Sequence, residues 1–323
     1  MAMKKFLSVL LKILGVILCI PVILISLLSI AKVVCYPTYV ANTETVCTIP
    51  AIHEGFVPQG VAHVLGSTYL FTGYNGDAME IYLSRDGEAV EIVPVDADGK
   101  IYDLHGGGVA VAGEYVYITG DKEMLVFYRD AFLNAKNGDK VSPIKSFETD
   151  VKTSFCFADA DYLYVGEFYD GNKYKTDAAH HLTTPAGEKH YALAAAYPLT
   201  IFGELATESP EFFLSIRDKV QGFAVHEGVF MVSCSYGLTS SDLDFYRGYT
   251  DNGSTMNLGG LDTPVYFLDS KTHTEQVKMP AFSEGLDVVD GRVVISFESA
   301  CNKYVVGKLF FADKLVSYPI PKA

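Results

Sequence analysis

The strongest constraint on the fold is a short segment that recurs five times after residue 55. The copies begin at Gln59, Gly106, Thr153, Gln221 and Glu284 and read QGVAHVLGSTYLFTG, GGGVAVAGEYVYITG, TSFCFADADYLYVGE, QGFAVHEGVFMVSCS and EGLDVVDGRVVISFE. In each copy a polar residue or a glycine precedes a strand-like run, a tight turn and a second strand. Successive copies start 47, 47, 68 and 63 residues apart. We interpret them as one structural unit used repeatedly.

Two more strand-like runs follow each copy. In chain order they are MEIYLSRDG and AVEIVPV, LVFYRDA and VSPIKSF, YALAAAYPL and PEFFLSI, PVYFLDS and EQVKMPA, and KLFFADK and LVSYPI. Four antiparallel strands repeated around a centre form a β-propeller, with the first strand of each blade lining the channel. We therefore predict an all-β, five-bladed propeller over residues 56–323. Six blades is the alternative, if the insertion after Tyr236 contains strands.

A strand-like segment also precedes the first copy. TVCTIP, residues 45–50, resembles the outermost strand of a blade. We predict that it pairs with the last blade and closes the ring, because closure removes exposed sheet edges. Residues 37–55 are then a linker that contains this latch strand.

The first 36 residues form a different kind of segment. The run from Ile13 to Ala31 is apolar and uncharged, and it is long enough to cross a bilayer as a helix. Lys4 and Lys5 favour a cytoplasmic N-terminus, which puts the propeller outside. We predict a single-pass membrane anchor within residues 1–36. The alternative is a cleaved signal peptide and a secreted protein.

The exported part of the chain is acidic. After residue 36 it contains 21 basic and 39 acidic residues, a net charge of −18. Nucleic acids and anionic lipid surfaces are bound by basic surfaces, so we exclude nucleic acid as a partner. We expect a small molecule or an extracytoplasmic protein instead. Organic cations and Ca²⁺ are both compatible with this charge.

The repeat also predicts where a site would lie. Loops that lead into the inner strands and loops that link second to third strands open on the same face of a propeller. The polar and aromatic residues at these positions are Gln59, Tyr74, Asn75, His105, Asp121, Glu167, Gln221, Tyr236, Glu284 and Glu298. We predict that they surround one channel mouth that binds a ligand or partner. The alternative is that they only satisfy the backbone of neighbouring blades.

No nucleophile elbow, zinc-protease motif or nucleotide-binding motif is found in the sequence. An enzymatic alternative is metal-assisted hydrolysis or lactone opening at the mouth. Glu284 would then ligate Ca²⁺ or another divalent cation, and His105 or Glu298 would act as general base. A structural module of a cell-envelope assembly is a third interpretation.

Two segments resemble known propellers. SCSYGLTSSDLDFYR (233–247) and MPAFSEGLDVVDGRVVISFESACNKY (279–304) resemble a family of uncharacterised exported bacterial propellers, which implies no activity. QG at Gln59, YLFTGYNGD and EGL at Glu284 are similar to glutamine cyclotransferase, an exported five-bladed enzyme. Glu284-Gly285 is also similar to the gluconolactonase and regucalcin group, which implies a divalent metal bound at Glu284.

Overall fold

A computed structural model describes residues 23–24, 26–258, 260–304 and 306–322. Five sheets follow one another around a ring, each with a core of four antiparallel strands, so the predicted five-bladed β-propeller is confirmed. In every blade the chain enters at the centre and moves outward. The face at which the inner strands begin is called the entry face below.

The strands of each blade are given from the centre outward. Blade 1 contains β2 (Val57–Leu65), β3 (Thr68–Asn75), β4 (Ala78–Arg85) and β5 (Glu88–Pro94). Blade 2 contains β6 (Val109–Ala112), β7 (Tyr115–Thr119), β8 (Glu123–Tyr128) and β10 (Lys145–Glu148). Blade 3 contains β11 (Phe155–Ala158), β12 (Tyr162–Gly166), β15 (Ala192–Pro198) and β16 (Phe212–Ile216). Blade 4 contains β17 (Val220–His226), β18 (Val229–Cys234), β19 (Ser241–Arg247) and β22 (His273–Met279). Blade 5 contains β23 (Ser283–Val289), β24 (Arg292–Phe297), β25 (Lys314–Pro319) and β1 (Glu44–Thr48).

Short elements decorate this ring. β9 (Asp139–Val141) runs parallel to β5 outside blade 1, and β21 (Leu261–Phe267) runs parallel to β16 outside blade 3. β20 (Thr255–Leu258) pairs with β21, and β13 (Leu182–Thr183) pairs with β14 (Lys189–His190) in the blade 3 insertion. Among the described residues the helical elements are a segment at 26–35, α1 (Pro37–Asn42), α2 (Arg129–Leu133) and two 3₁₀ turns, Ala178–His180 and Gly307–Phe310.

Burial explains which sequences form which strands. The second strands β3 and β24 are buried along nearly their whole length, because neighbouring blades cover both of their faces. They accordingly read as continuous apolar runs. The third strand β4 alternates between buried and partly buried residues. Outer strands such as β5 begin exposed and are more polar.

The latch strand closes blade 5. β1 pairs antiparallel with β25, with Thr48 opposite Lys314 and Glu44 opposite Ser317. The fourth strand of the last blade therefore comes from a segment that precedes the first blade. No other described segment pairs with the outer edge of β25.

Two strand assignments made from the sequence are wrong. The third strand of blade 4 is β19 within the predicted insertion, whereas PVYFLDS contributes to β21 on the outer edge of blade 3. KLFFADK is not a strand, because LVSYPI forms the third strand of blade 5 and β1 supplies the fourth. Both errors have one cause: several runs have strand propensity, and only pairing across the sheet decides among them.

The alignment of the repeats is also shifted by one residue in blades 2 and 3. Gly60, Gly222 and Gly285 lie at the centre of the ring. A Cβ on Gly222 would lie 2.5 Å from Glu284 O, and one on Gly285 would lie 2.8 Å from Gln59 O, so only glycine fits. In blade 2 both Gly107 and Gly108 approach blade 3: a Cβ would lie 2.6 Å from Ser154 O on Gly107 and 2.5 Å from Cys156 N on Gly108. The strand pairing identifies the equivalent residue, because Gly60 lies opposite Thr72 and the Gly108 carbonyl accepts from the Thr119 amide. Gly107 and Ser154, not Gly106 and Thr153, are therefore equivalent to Gln59.

The N-terminal segment packs against the ring. Residues 26–35 are helical, and α1 follows after Tyr36. Tyr36 and Tyr39 are buried, with the Tyr39 ring 6.1 Å from that of Phe297 in an edge contact. Of the predicted membrane segment 13–31, residues 13–22 and 25 lie outside the described residues. In the part of the chain that is described, no helix has the length and hydropathy needed for a bilayer crossing.

Candidate functional site

Three of the predicted mouth residues lie at irregularities of the inner strands. The pairing register shifts between Pro58 and Gly60 in β2, between Val220 and Gly222 in β17, and between Ser283 and Leu286 in β23. Gln59, Gln221 and Glu284 fall inside these shifts. A β-bulge leaves its extra residue out of the ladder and redirects the side chain. The bulges therefore orient these three side chains at the entry face.

The three side chains meet a second acid, Glu298, which directly follows β24. Glu284 is 2% exposed and Glu298 is 5% exposed, and the two carboxyl groups are hydrogen-bonded to each other. The Gln59 amide donates to Glu298 Oε2 at 2.9 Å, and the Gln221 amide donates to Glu284 Oε1 at 3.3 Å. Blades 1, 4 and 5 thus contribute to one network, which we call the carboxyl pair and its glutamines.

Burial makes it costly for both acids to be charged together. It raises the pKa of Glu284 well above its usual value, and the neighbouring Glu298 raises that pKa further. Burial raises the pKa of Glu298 to about 8, although Lys303 and Gln59 oppose the increase. Near neutral pH the pair therefore holds at least one proton. The pair therefore offers a hydrogen-bond donor and a hydrogen-bond acceptor next to each other.

A cationic and aromatic group lies beside the pair. The Lys303 ammonium donates to the Tyr74 hydroxyl at 2.5 Å and lies 4.5 Å from the Tyr74 ring centroid and 5.5 Å from that of Tyr304. The Tyr304 hydroxyl interacts with both Tyr74 and Glu298. The exposed His105 stacks on Tyr74 with centroids 4.4 Å apart. Desolvation, followed by Lys303 and Lys173, lowers the pKa of His105.

The backbone around the pair is held in an uncommon conformation. Phe282, the residue before β23, has a φ of 65°, which is costly for a residue with a large side chain. Its carbonyl accepts from the Glu298 amide at 3.0 Å, and its ring stacks on Tyr304 at 4.7 Å. Phe282 therefore connects the two segments that carry the carboxyl pair.

The remaining predicted mouth residues lie elsewhere on the entry face. Asn75 is exposed and donates to Glu80 Oε1 at 3.1 Å, while Asp121 is exposed in the turn between β7 and β8. Glu167 is buried in blade 3, where it accepts from His180 Nδ1 at 2.9 Å. Tyr236 is 42% exposed, with its ring 5.8 Å from that of Phe168. The structure thus groups six of the predicted residues: Gln59, Tyr74, His105, Gln221, Glu284 and Glu298. The other four, described in this paragraph, are not part of that group.

The donor set does not fit the divalent cation expected at Glu284. In the described ranges, no group of three or more His, Cys, Asp or Glu side chains is arranged to hold a metal ion. Calcium takes six to eight oxygen ligands, usually including several carboxylates. Here two carboxyl groups share a proton, and the Lys303 ammonium opposes a second positive charge. No metal-dependent step is derived for this site.

Lys303 and Tyr304 were not identified from the sequence. They lie in the loop between β24 and β25, outside the repeated unit, so the alignment gave them no equivalent positions. The available signal was the KY that ends the segment SFESACNKY, five and six residues after Glu298.

A second buried acid was also missed, but its surroundings indicate a structural role. Asp244 in β19 contacts Arg217 Nη1 at 2.5 Å, His273 Nε2 at 2.8 Å and Gln276 Nε2 at 2.9 Å. Its charge is matched by a guanidinium group and both oxygens are hydrogen-bonded. Such full pairing is how proteins tolerate a buried carboxylate.

A comparison with protein-family models finds no match, and a comparison with curated proteins finds none either. Among solved structures, the chain is similar to a PQQ-bound aldose sugar dehydrogenase from Streptomyces coelicolor, with 18% identity, 79% of this chain and 76% of that chain covered, and a TM-score of 0.44. It is also similar to a glutaminyl cyclase from Myxococcus xanthus, with 11% identity, 79% and 91% coverage, and a TM-score of 0.38. An exo-β-1,3-galactanase from Phanerochaete chrysosporium has 12% identity, 79% and 60% coverage, and a TM-score of 0.42. These neighbours are enzymes, and no chemistry is carried over from them at this level of similarity.

Proposed function

We propose that this chain is a ligand-binding β-propeller, and that the carboxyl pair and its glutamines form the recognition site for a small polar molecule. The observation that carries the proposal is the burial of Glu284 and Glu298 against each other, with amides rather than a guanidinium group as partners. Buried acids without an ion partner are costly for stability. Strongly shifted carboxyl pairs cluster at functional sites. The contrast with Asp244 supports a functional role for the pair.

The test is a thermal-shift screen of the full chain, purified in detergent, against sugars, amino acids, amines, dipeptides and nucleosides. A ligand present at 100 times its Kd should stabilise the protein by about 2.7 kcal/mol, a shift of several degrees. Glu298→Gln should abolish that shift. The matched control is Asp287→Asn, which removes another carboxyl group of β23, bonded at 2.5 Å to the His63 amide and outside the pair. The proposal fails if no compound stabilises the wild type, or if Glu298→Gln keeps the shift.

A second candidate is general acid–base catalysis at the same pair. It is favoured by the raised pKa values of both acids, about 8 for Glu298, because one group can donate a proton while the other accepts one. The QG and EGL segments that resemble glutamine cyclotransferase contain Gln59 and Glu284 of this network. In that reaction an N-terminal amine attacks its own side-chain amide carbon, the bond to the amide nitrogen breaks, and a proton passes from the amine to the departing ammonia.

Ammonia release from a peptide with N-terminal glutamine tests this second candidate. We expect release by the wild type and by Asp287→Asn, and none by Glu298→Gln. Release equal to that of buffer alone would rule out cyclisation as the reaction.

We further propose that residues 13–31 anchor the propeller outside the cell membrane. The uncharged apolar run supports this, together with the helix at 26–35 that continues towards the ring. Lys32 Nζ lies 3.4 Å from Phe311 O, and the Tyr36 hydroxyl lies 3.2 Å from Ser240 Oγ. Phe311 and Ser240 belong to loops of the entry face, so an anchored ring would turn that face towards the membrane. Membrane fractionation with protease added to intact cells tests the anchor and its orientation.

A further inference from the structure

The Lys303 ammonium occupies a position with the features of a cation-binding site. It is hydrogen-bonded to the Tyr74 hydroxyl and lies within cation–π range of the Tyr74 and Tyr304 rings. The carboxyl pair is close enough for the ammonium to oppose the rise that burial causes in the pKa of Glu298, and the Tyr304 hydroxyl contacts both Glu298 and Tyr74. Aromatic rings and a buried carboxylate are the groups that proteins use to bind ammonium ions.

The cation is supplied by a loop rather than by a blade. Lys303 is exposed and lies between β24 and β25, outside every strand ladder. The loop is attached to the ring next to it, where Asn302 Nδ2 donates to His53 O at 2.6 Å. The ammonium can therefore leave its position without breaking a strand pair. Tyr74 in β3 and Glu298 at the end of β24 would stay in place.

The charge of the chain favours positively charged ligands. The part after residue 36 carries a net charge of −18, and such a surface raises the local concentration of cations. A neutral ligand would gain nothing from this field. An anionic ligand would be repelled from the pair.

We propose that the site binds the primary ammonium group of an external ligand, and that Lys303 occupies the ammonium position in this structure. The inference rests on the proposed function and specifies its ligand class: organic amines with at least one N–H to donate to Tyr74. The tyrosine rings would contact the carbon atoms next to the nitrogen, and Glu298 would interact with the positive charge.

The test removes the Lys303 ammonium and supplies an equivalent ammonium ion from solution. Lys303→Ala removes the three methylene groups and the ammonium of the side chain, a fragment equivalent to n-propylammonium. The full-length variant is titrated with n-propylammonium chloride at constant ionic strength, with binding followed by calorimetry and thermal shift. The neutral probe of matched shape is 1-propanol. We expect n-propylammonium to bind Lys303→Ala at least tenfold more tightly than the wild type, with no saturable binding of 1-propanol.

The chain provides a matched control in Lys173. Its ammonium also lies over a tyrosine ring, 4.9 Å from the Tyr174 centroid, but it is exposed, and its pKa is raised by Tyr174, Tyr236 and Asp170 rather than by the carboxyl pair. Lys173→Ala should therefore gain no affinity for n-propylammonium. Adding Glu298→Gln to Lys303→Ala should remove most of the gained affinity, because an amide, unlike a carboxyl group, cannot ionise to balance the bound ammonium.

Several outcomes would overturn the inference. They are the absence of saturable n-propylammonium binding by a folded Lys303→Ala variant, equal binding of 1-propanol, and an equal gain in Lys173→Ala. A neutral or anionic compound that stabilises the wild type but not Glu298→Gln would also overturn it, while leaving the proposed ligand-binding function intact.

Discussion

Glu284 and Glu298 show how one buried proton can make a protein sensitive to pH. Burial raises the pKa of both groups in the folded state, whereas in the unfolded chain they return to their ordinary acidity. The folded protein therefore binds more protons than the unfolded chain between about pH 4.5 and pH 8. The protonated pair makes its full contribution to the free energy of unfolding below this range, and the contribution decreases as pH rises through it.

We predict that the free energy of unfolding of the wild type falls by an amount on the order of 3 kcal/mol between pH 5 and pH 8 because of the pair. Glu284→Gln should reduce this fall, since the amide imitates the neutral carboxyl group and donates to Glu298 at every pH. Urea denaturation at half-unit pH steps measures both slopes. Asp287, with a pKa raised to about 6 by burial, titrates in both proteins and cancels in the comparison. Identical slopes would show that the pair does not share a proton.

The sequence identified most of the residues of this site but not how they are organised. Gln59, Gln221 and Glu284 could be predicted because each precedes a glycine that only the ring centre requires. In blade 2 the three consecutive glycines at 106–108 conceal which one is central, so the prediction was off by one residue. In blade 3 it was off by one because Phe155 replaces the central glycine, and Gly166 opposite makes room for its ring. Lys303 and Tyr304 lie in a loop outside the repeated segment, so comparing the repeats could not identify them.

At the scale of elements, one buried acid makes several of the hydrogen bonds that attach the blade 3 insertion. Glu167 accepts from His180 Nδ1 at 2.9 Å, from the Leu193 amide at 3.2 Å and from the Lys152 amide at 3.3 Å. His180 belongs to the insertion, Leu193 to β15 and Lys152 to the loop before β11. One carboxylate thus attaches the insertion to the blade.

We predict that Glu167→Gln loosens the insertion and leaves the ring folded. An amide group presents N–H to donors that need an acceptor, at a cost of about 1–3 kcal/mol. Hydrogen exchange at residues 176–191 should become roughly tenfold or more faster, while exchange in β18 and β24 should not change. Glu114→Gln, an exposed acid in the turn between β6 and β7, is the control and should alter neither region. Unchanged exchange at 176–191 would contradict the attachment.

The sequence predicted the repeat better than it predicted which blade each strand-like segment joins. SDLDFYR and PVYFLDS both contain the aromatic residues typical of strands, yet only the first is the third strand of blade 4. The difference arises because β21 finds a free parallel edge on β16. Strands that are distant in sequence determine this pairing, and the local sequence pattern holds no information about them.

The whole molecule is closed by a single strand of five residues. Ile49 N donates to Asp313 O at 2.9 Å, and the same register places Cys47 opposite Leu315. Cys47 therefore directs its amide towards β25. β9 is the comparable outer strand of blade 1, but it adds to a blade that is already complete.

We predict that Cys47→Pro lowers the melting temperature by at least about 5 °C, because proline removes a ladder hydrogen bond from the strand that completes blade 5. Lys140→Pro in β9 should have an effect of about 2 °C or less. Circular dichroism melts of both variants provide the comparison. Similar effects of the two substitutions would mean that β1 does not close the ring.

The latch also sets the order of events during synthesis. The Thr48 side chain contacts Lys314, which follows 266 residues later. At about 5–20 residues per second, roughly 13 to 50 seconds separate the appearance of the two partners. Throughout that interval the first-made strand has no edge to pair with, and the four complete blades cannot join into a ring. The ring of the nascent chain therefore cannot close until β25 has left the ribosome, long after β1 has been made.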